Sequence, residues 1–263
     1  MILNYITWDV NPDIVSFWGL TIRYYGVLFA ATFFFGYLIM QKIFQKEGLS
    51  IELLDKLTVY VAVGTVIGAR LGHCLFYDPS YYLQNPVEIL MIWRGGLASH
   101  GAAIGILIAL YYFARKSKKP YLWILDRIVI VVALGGFFIR MGNLMNSEIY
   151  GIETSLPWGF IFERNGEVVP KHPTQIYEAL SYLLIFILLY TIYNKKGTKV
   201  QQGLIFSLFL ILLFTVRFFI EFIKEVQVDF EKTMSLNMGQ WLSIPFVLAG
   251  FYLLYRSYKL KKA

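Results

Sequence analysis

Charge is scarce in this sequence. Only 16% of its 263 residues are Asp, Glu, Lys or Arg, and there is one cysteine, Cys74. A single cysteine excludes an internal disulfide and a cysteine metal cluster. The chain has no HExxH, no glycine-rich nucleotide loop and no acidic cluster suited to two metals. Zinc-peptidase, nucleotide-binding and two-metal chemistries therefore have no support, and neither a metal nor a cofactor is expected. No linker, low-complexity tract or repeat interrupts the chain, which reads as one transmembrane catalytic domain over residues 1–263. The opening stretch lacks a basic start and carries Asp9, Asn11 and Asp13, so a cleavable signal peptide is not expected.

Apolar residues are what the chain has in excess. They make up 57% of it, against about 45–50% in a soluble globular domain. The excess lies in long runs, at about 24–43, 57–77, 97–114, 124–145, 175–193, 203–223 and 238–256. Each is near the roughly 20 residues that a helix needs to cross hydrocarbon. The runs are too long for strands and do not alternate. The pattern predicts an all-α, polytopic integral membrane helix bundle with about seven transmembrane helices.

Lysine and arginine set the expected orientation. One set of connections holds Lys42, Lys46 and Lys56, then Arg115, Lys116, Lys118 and Lys119, then Lys195, Lys196 and Lys199. The tail adds Arg256, Lys259, Lys261 and Lys262. These fall at every second connection, which predicts that this side is cytoplasmic, with the N-terminus outside and the C-terminus inside. The opposite set, Arg23, Arg94, Arg164, Lys171, Lys224 and Lys232, is interspersed with acids. The net charge of +7 is thus a topology signal, and no nucleic-acid partner is expected.

Three arginines remain once the loops are subtracted: Arg70, Arg140 and Arg217, each in the outward half of its run. They either snorkel to the interface or share an anion site. Their similar depth, beside carboxylates and amides, favours the anion site. Arg140 and Asn143 are spaced i, i+3 and share a helix face. Asn146 continues that face if the helix persists, whereas Glu148 falls where the helix frays before Gly151. Arg217 and Glu221, spaced i, i+4, form either a structural ion pair or a support that holds the guanidinium for a ligand. Arginine suits phosphate because its planar fork donates two parallel hydrogen bonds.

His100, in "WRGGLASHGAAIG", falls near the outer start of the third run. It is either a packing residue or a catalytic one. Gly101 and Gly105 beside it permit close helix approach. His73 and Cys74 are adjacent and do not face each other on a helix, which argues against a Cys–His nucleophile pair. His172, in "KHPTQIYEA", is expected to anchor a helix start. Tyr24 and Tyr25 are expected at the outer interface, where one has a hydroxyl to offer a reacting oxygen. A metal-free reaction at an anionic lipid headgroup fits this set. A carrier of an anionic lipid or solute, and another phospholipid headgroup transferase, are the alternatives.

The stretch "IRMGNLMNSEIYG" resembles the signature of the bacterial phosphatidylglycerol–prolipoprotein diacylglyceryl transferases, roughly GRxGNFxNxExxG. It differs by Ile139 in place of Gly and Leu144 in place of Phe. "IRYYGVLF", "GARLGHCLFYDP", "WRGGLASHGAAIG", "KHPTQIYEA", "RFFIEFIKE" and "LNMGQWLSIP" support it in order, from residue 22 to 245. The resemblance implies a seven-helix enzyme of the bacterial inner membrane. Such an enzyme moves the diacylglyceryl group of phosphatidylglycerol onto the lipobox cysteine of a prolipoprotein signal peptide. Essential positions of that family fall on Tyr25, His100, Arg140, Asn143, Glu148, Gly151, Arg217 and Glu221, with Arg70 matching a further arginine. The chemistry of these residues makes His100 the expected general base, Arg140 and Arg217 the expected stabilisers of the departing phosphate, and Asn143 and Tyr25 the expected hydrogen-bond donors. Glu148 and Glu221 are expected to orient the arginines.

Overall fold

The computed structural model describes residues 5–226, 231 and 233–262. Lys232, counted above with the outer connections, lies outside them. The chain forms two compact units, residues 41–125 and residues 1–40 with 126–263. The helices α1 (Tyr24–Lys46) and α5 (Tyr121–Met145) each contribute residues to both.

The 41–125 unit contains α2 (Ile51–Phe76), the short α3 (Pro79–Gln84) and α4 (Ser99–Ser117). Ser50 caps α2, its hydroxyl accepting from the Leu53 amide at 3.3 Å. The α2 and α4 backbones touch because glycines face each other. A Cβ on Gly68 would run into the Gly101 carbonyl oxygen, and one on Gly101 into that of Gly68. Gly105 meets Gly64 in the same way one turn further on. The close approach expected of Gly101 and Gly105 is present, with α2 as the partner. An open groove of about 600 Å³ runs over this contact, lined by apolar residues such as Val63, Ile67, Leu71, Ile104 and Ile108.

The larger unit contains the remaining elements. The segments β2 (Asp13–Phe17) and β3 (Leu20–Arg23) form a hairpin whose turn residues, Trp18 and Gly19, have φ of 50° and 80°. Such a turn matches the twist of paired strands. Upstream of it, β1 (Ile6–Trp8) pairs in parallel with β4 (Phe160–Phe162). These strands were not expected from sequence. They are three to five residues long, and the β1 partner lies about 150 residues away, so no local period marks them.

Three further long helices complete this unit: α6 (Thr174–Lys196), α7 (Leu204–Ile220) and α8 (Met238–Lys262). The α7 start is capped from a different helix. The Asp126 carboxylate accepts the Gly203 and Phe206 amides at 2.7 and 2.8 Å, as a capping side chain does.

Among the described residues, six helices are long and apolar enough to cross a membrane: α1, α2, α5, α6, α7 and α8. The span expected at 97–114 is α4, whose 19 residues begin with Ser99 and His100 and end near Arg115 and Lys116. Those polar ends keep it out of the set. Half of the apolar window of α5 is buried, against 22–33% for the other five. Large side chains such as Phe34, Val59, Leu184 and Leu248 stay exposed, as a lipid-facing surface requires. The protein is a multi-pass membrane helix bundle.

Candidate functional site

The end of α5 is where polar side chains concentrate. Arg140 Nη1 donates to Asn143 Oδ1 at 3.1 Å, so the i, i+3 face expected from spacing is occupied by a direct bond. Asn143 Nδ2 then donates to Glu148 Oε1 at 2.8 Å, and Asn146 Nδ2 donates to the same oxygen at 3.2 Å. Glu148 lies past the helix end, as expected, but is turned back so that two carboxamides hold it. The turn costs backbone strain: Ser147 and Ile149 have φ of 55° and 62°, a left-handed region that β-branched residues rarely enter.

Three successive carbonyls of this turn are each held from outside. Asn165 Nδ2 donates to the Ser147 oxygen at 2.6 Å, Gln175 Nε2 to that of Glu148 at 2.8 Å, and Thr174 Oγ1 to that of Ile149 at 3.0 Å. Thr174 and Gln175 are completely buried at the start of α6. A small apolar core, Leu144, Phe160 and Phe162 with Trp8, Met141, Tyr150 and Ile176, fastens the following loop to the α5 end. Gly151 closes the motif. Its amide donates to the His172 carbonyl at 2.8 Å, and a Cβ there would run into the Ile223 carbonyl. Its role is close backbone approach.

Two residues that the sequence reading did not single out lie at the centre. Glu178, on α6, has no solvent exposure, and Lys224, counted above as an outer-loop lysine, is 7% exposed. Glu178 Oε2 lies 2.8 Å from Arg140 Nε, and Glu178 Oε1 lies 3.4 Å from Lys224 Nζ. The Arg140 contact is an ion pair without hydrogen-bond alignment, since Glu178 Oε2 has no hydrogen-bonding partner. Lys224 Nζ also reaches Glu221 Oε1 at 3.2 Å, and Arg217 Nε approaches that oxygen at 3.7 Å. Asn237 Nδ2 donates to Glu221 Oε2 at 3.1 Å. The i, i+4 pair expected between Arg217 and Glu221 is thus a loose contact within a wider network. The sequence signal for Glu178 was a lone carboxylate one turn inside an apolar helix. Lys224 gave none.

Arg217 Nε is buried without a hydrogen-bond partner. A guanidinium donor without a hydrogen bond in an apolar bundle is costly, and the carboxylate oxygen it approaches, Glu221 Oε1, is 3.7 Å away. Tyr25, half-buried at the start of α1, packs against α5 where Gly142 leaves room. A Cβ on Gly142 would lie 2.8 Å from Tyr25 Cδ2.

His172 Nδ1 lies 3.3 Å from the Tyr177 hydroxyl, which accepts from Trp158 Nε1 at 2.9 Å. Burial pushes the His172 pKa down.

In the 41–125 unit, Arg70 is buried and its guanidinium is committed to its own loop. It donates to the carbonyls of Ile89 at 2.9 Å, Gly95 at 2.6 Å, Gly96 at 3.2 Å and Glu88 at 2.5 Å. The loop so gathered leads into α4, where the Ala98 amide donates to the Ala69 carbonyl at 2.9 Å. His100 stands exposed in the first turn of α4. His73 stacks on Tyr77 with centroids 5.5 Å apart, and Cys74 is buried.

The bundle defines an integral membrane protein, with a network of charged and amide side chains gathered at the end of α5. The chain belongs to the prolipoprotein diacylglyceryl transferase family, whose model matches residues 12–256. Curated relatives named phosphatidylglycerol–prolipoprotein diacylglyceryl transferase align over nearly their whole length. The protein from Chloroherpeton thalassium is 47% identical over 257 residues, covering 97% of this chain and 96% of the relative. That from Tolumonas auensis is 48% identical over 255 residues, covering 97% and 98%. That from Porphyromonas gingivalis is 48% identical over 270 residues, covering 97% and 95%. The resemblance read from the motifs holds, and the protein is a transferase.

Proposed function

We propose that this protein transfers the diacylglyceryl group of phosphatidylglycerol to the lipobox cysteine of a prolipoprotein signal peptide. The substrate thiolate attacks the glycerol carbon that carries the phosphate. A carbon–sulfur bond forms, the carbon–oxygen bond breaks, and glycerol phosphate leaves with the electron pair. The substrate supplies the nucleophile, so the buried Cys74 needs no part. Negative charge grows on the departing phosphate, and Arg140 and Arg217 stabilise it in a water-poor setting. Asn143 and Tyr25 supply further donors. Glu148 and Glu221 orient their neighbours, while Gly151 and Arg70 act through backbone placement. The Arg217 Nε without a hydrogen-bond partner, in the same ion-pair network as Arg140, is the observation that carries this reading. Purified protein with phosphatidylglycerol vesicles and a lipobox peptide should yield a thioether lipopeptide and glycerol phosphate. Lipid movement without a thioether would instead mean a carrier, and headgroup exchange another transferase.

His100 is the proposed general base, since imidazole titrates near working pH. His100→Gln should abolish turnover at neutral pH while phosphatidylglycerol still binds. Raising the pH should restore part of the rate, because a free thiol with a pKa of about 8.5 ionises without help. Near-normal turnover at neutral pH would return His100 to packing.

The proposed placement is the bacterial inner membrane, with seven spans that include α4, the N-terminus outside and the site in the outward half. The alternating basic connections support it. With Cys74 replaced by alanine, cysteines at Lys116 and Thr198 should react only with membrane-permeant thiol reagents. A cysteine at Glu163 should react with impermeant ones. All three positions are exposed. The reverse pattern would overturn the orientation.

A further inference from the structure

Among the described residues, Lys224 is the one that pairs with both Glu178 and Glu221. Its ammonium lies 3.4 Å from Glu178 Oε1 and 3.2 Å from Glu221 Oε1. Glu178 is paired with Arg140 through its other oxygen, and Glu221 lies against Arg217. The chain of contacts thus runs Arg140, Glu178, Lys224, Glu221, Arg217. Its backbone is fixed as firmly: Lys224 bridges to Gly151, the Ile152 amide donates to the Ile223 carbonyl at 3.0 Å, and the Glu225 amide donates to that of Tyr150 at 3.2 Å. The segment after α7 is thereby joined to the signature turn after α5.

We propose that Lys224 is a positioning residue, which sets both the geometry and the charge of the two arginines. The argument rests on the transfer reaction proposed above. Without the ammonium, two guanidiniums would face two carboxylates, and each arginine would be neutralised by its own partner. Charge of opposite sign at 3–4 Å interacts strongly where water is scarce. With Lys224 present, three cations share two carboxylates, and one positive charge is left for an anion. Glu148, held by the carboxamides of Asn143 and Asn146, keeps its own negative charge, so the surplus belongs to the ion-pair chain from Arg140 to Arg217 and not to the whole site. Lys224 acts by drawing Glu178 and Glu221 toward itself, so that Arg140 and Arg217 keep donors directed at the ligand.

The test compares Lys224→Met with Lys224→Arg in the full-length protein, assayed with phosphatidylglycerol vesicles and a lipobox peptide. Lys224→Met should lower kcat by about tenfold to a hundredfold, as loss of supporting partners around a reactive centre does. KM for the lipid should change much less, and thermal unfolding should stay close to wild type. Lys224→Arg, which can also bridge two carboxylates, should recover most of the rate. Two results would overturn the proposal. One is a wild-type kcat for Lys224→Met. The other is loss of activity in both variants in proportion to the folded protein recovered, which would make Lys224 a structural tie only. Should Lys224→Met fail to insert, Lys224→Gln keeps a hydrogen-bonding side chain without the charge. A tenfold loss in Lys224→Gln supports the proposal and a wild-type rate overturns it. If the wild-type protein makes no thioether, it is the reaction assignment that fails, and anion binding by wild type and Lys224→Met, measured with phosphatidylglycerol vesicles, decides the charge argument. Tenfold weaker binding in the variant upholds it, and equal binding ends it.

Discussion

Arg140→Lys and Arg217→Lys should each insert as wild type does and lose about 10²–10³ in transfer rate, the usual cost of removing one oriented donor from a developing oxyanion. Both substitutions keep a positive charge on a long side chain. A residue that only snorkels would tolerate them, since an ammonium reaches the interface as well as a guanidinium. Arg140, however, uses its fork in two directions at once, Nε toward Glu178 and Nη1 toward Asn143. One ammonium cannot hold both and still face a phosphate. In Arg217 the donor without a partner is Nε, and lysine has no nitrogen at that place. The measurement is thioether formation per folded enzyme, with insertion checked by membrane fractionation. Wild-type rates in both variants would return these residues to anchoring. Arg70→Lys is a different case. Its four carbonyl contacts make it a loop tie, so the expected change is in stability of the 41–125 unit first and in rate second.

Gly101→Leu should destabilise the 41–125 unit by about 3 kcal/mol, the upper end of the ordinary cost of overpacking. There is no side-chain end to move aside. The added Cβ would run into the Gly68 carbonyl and lie 2.7 Å from the Gly72 Cα, so the α2 and α4 backbones must part. Parting them uncovers the contact that Gly64, Gly68, Gly101 and Gly105 share. Thermal unfolding in detergent reads this out. Gly26→Ala is the control, since a Cβ there meets nothing within 4 Å, and it should unfold like wild type. Equal unfolding of Gly101→Leu and wild type would mean that the helices do not pack at the glycines.

Local spacing made half of the candidate site legible. The Arg140–Asn143 bond and the Arg217–Glu221 contact follow from helix geometry, which places residues three and four apart on one face. The membrane class follows from the length of the apolar runs, since a helix that spans lipid must satisfy its backbone within itself. Only α4 departs from that reading, because its ends are polar although its middle is not.

The apolar runs and the motifs by themselves determined that this is a helical membrane protein of the prolipoprotein diacylglyceryl transferase family, with a set of arginines, amides and carboxylates as its candidate site. Only the tertiary structure decided how that set is wired. Glu178 meets Arg140 across 38 positions and Lys224 across 46, and no periodicity reaches so far. The direction of Glu148 depends on donors from Asn165, Thr174 and Gln175, which hold a strained turn that its own residues disfavour. Lys224 reads as a solvated loop lysine until the buried Glu178 and the half-buried Glu221 are seen beside it. The physical reason is the same in each case. Helix periodicity fixes which residues share a face, whereas burial of a charge is allowed only by partners that the fold brings from elsewhere in the chain.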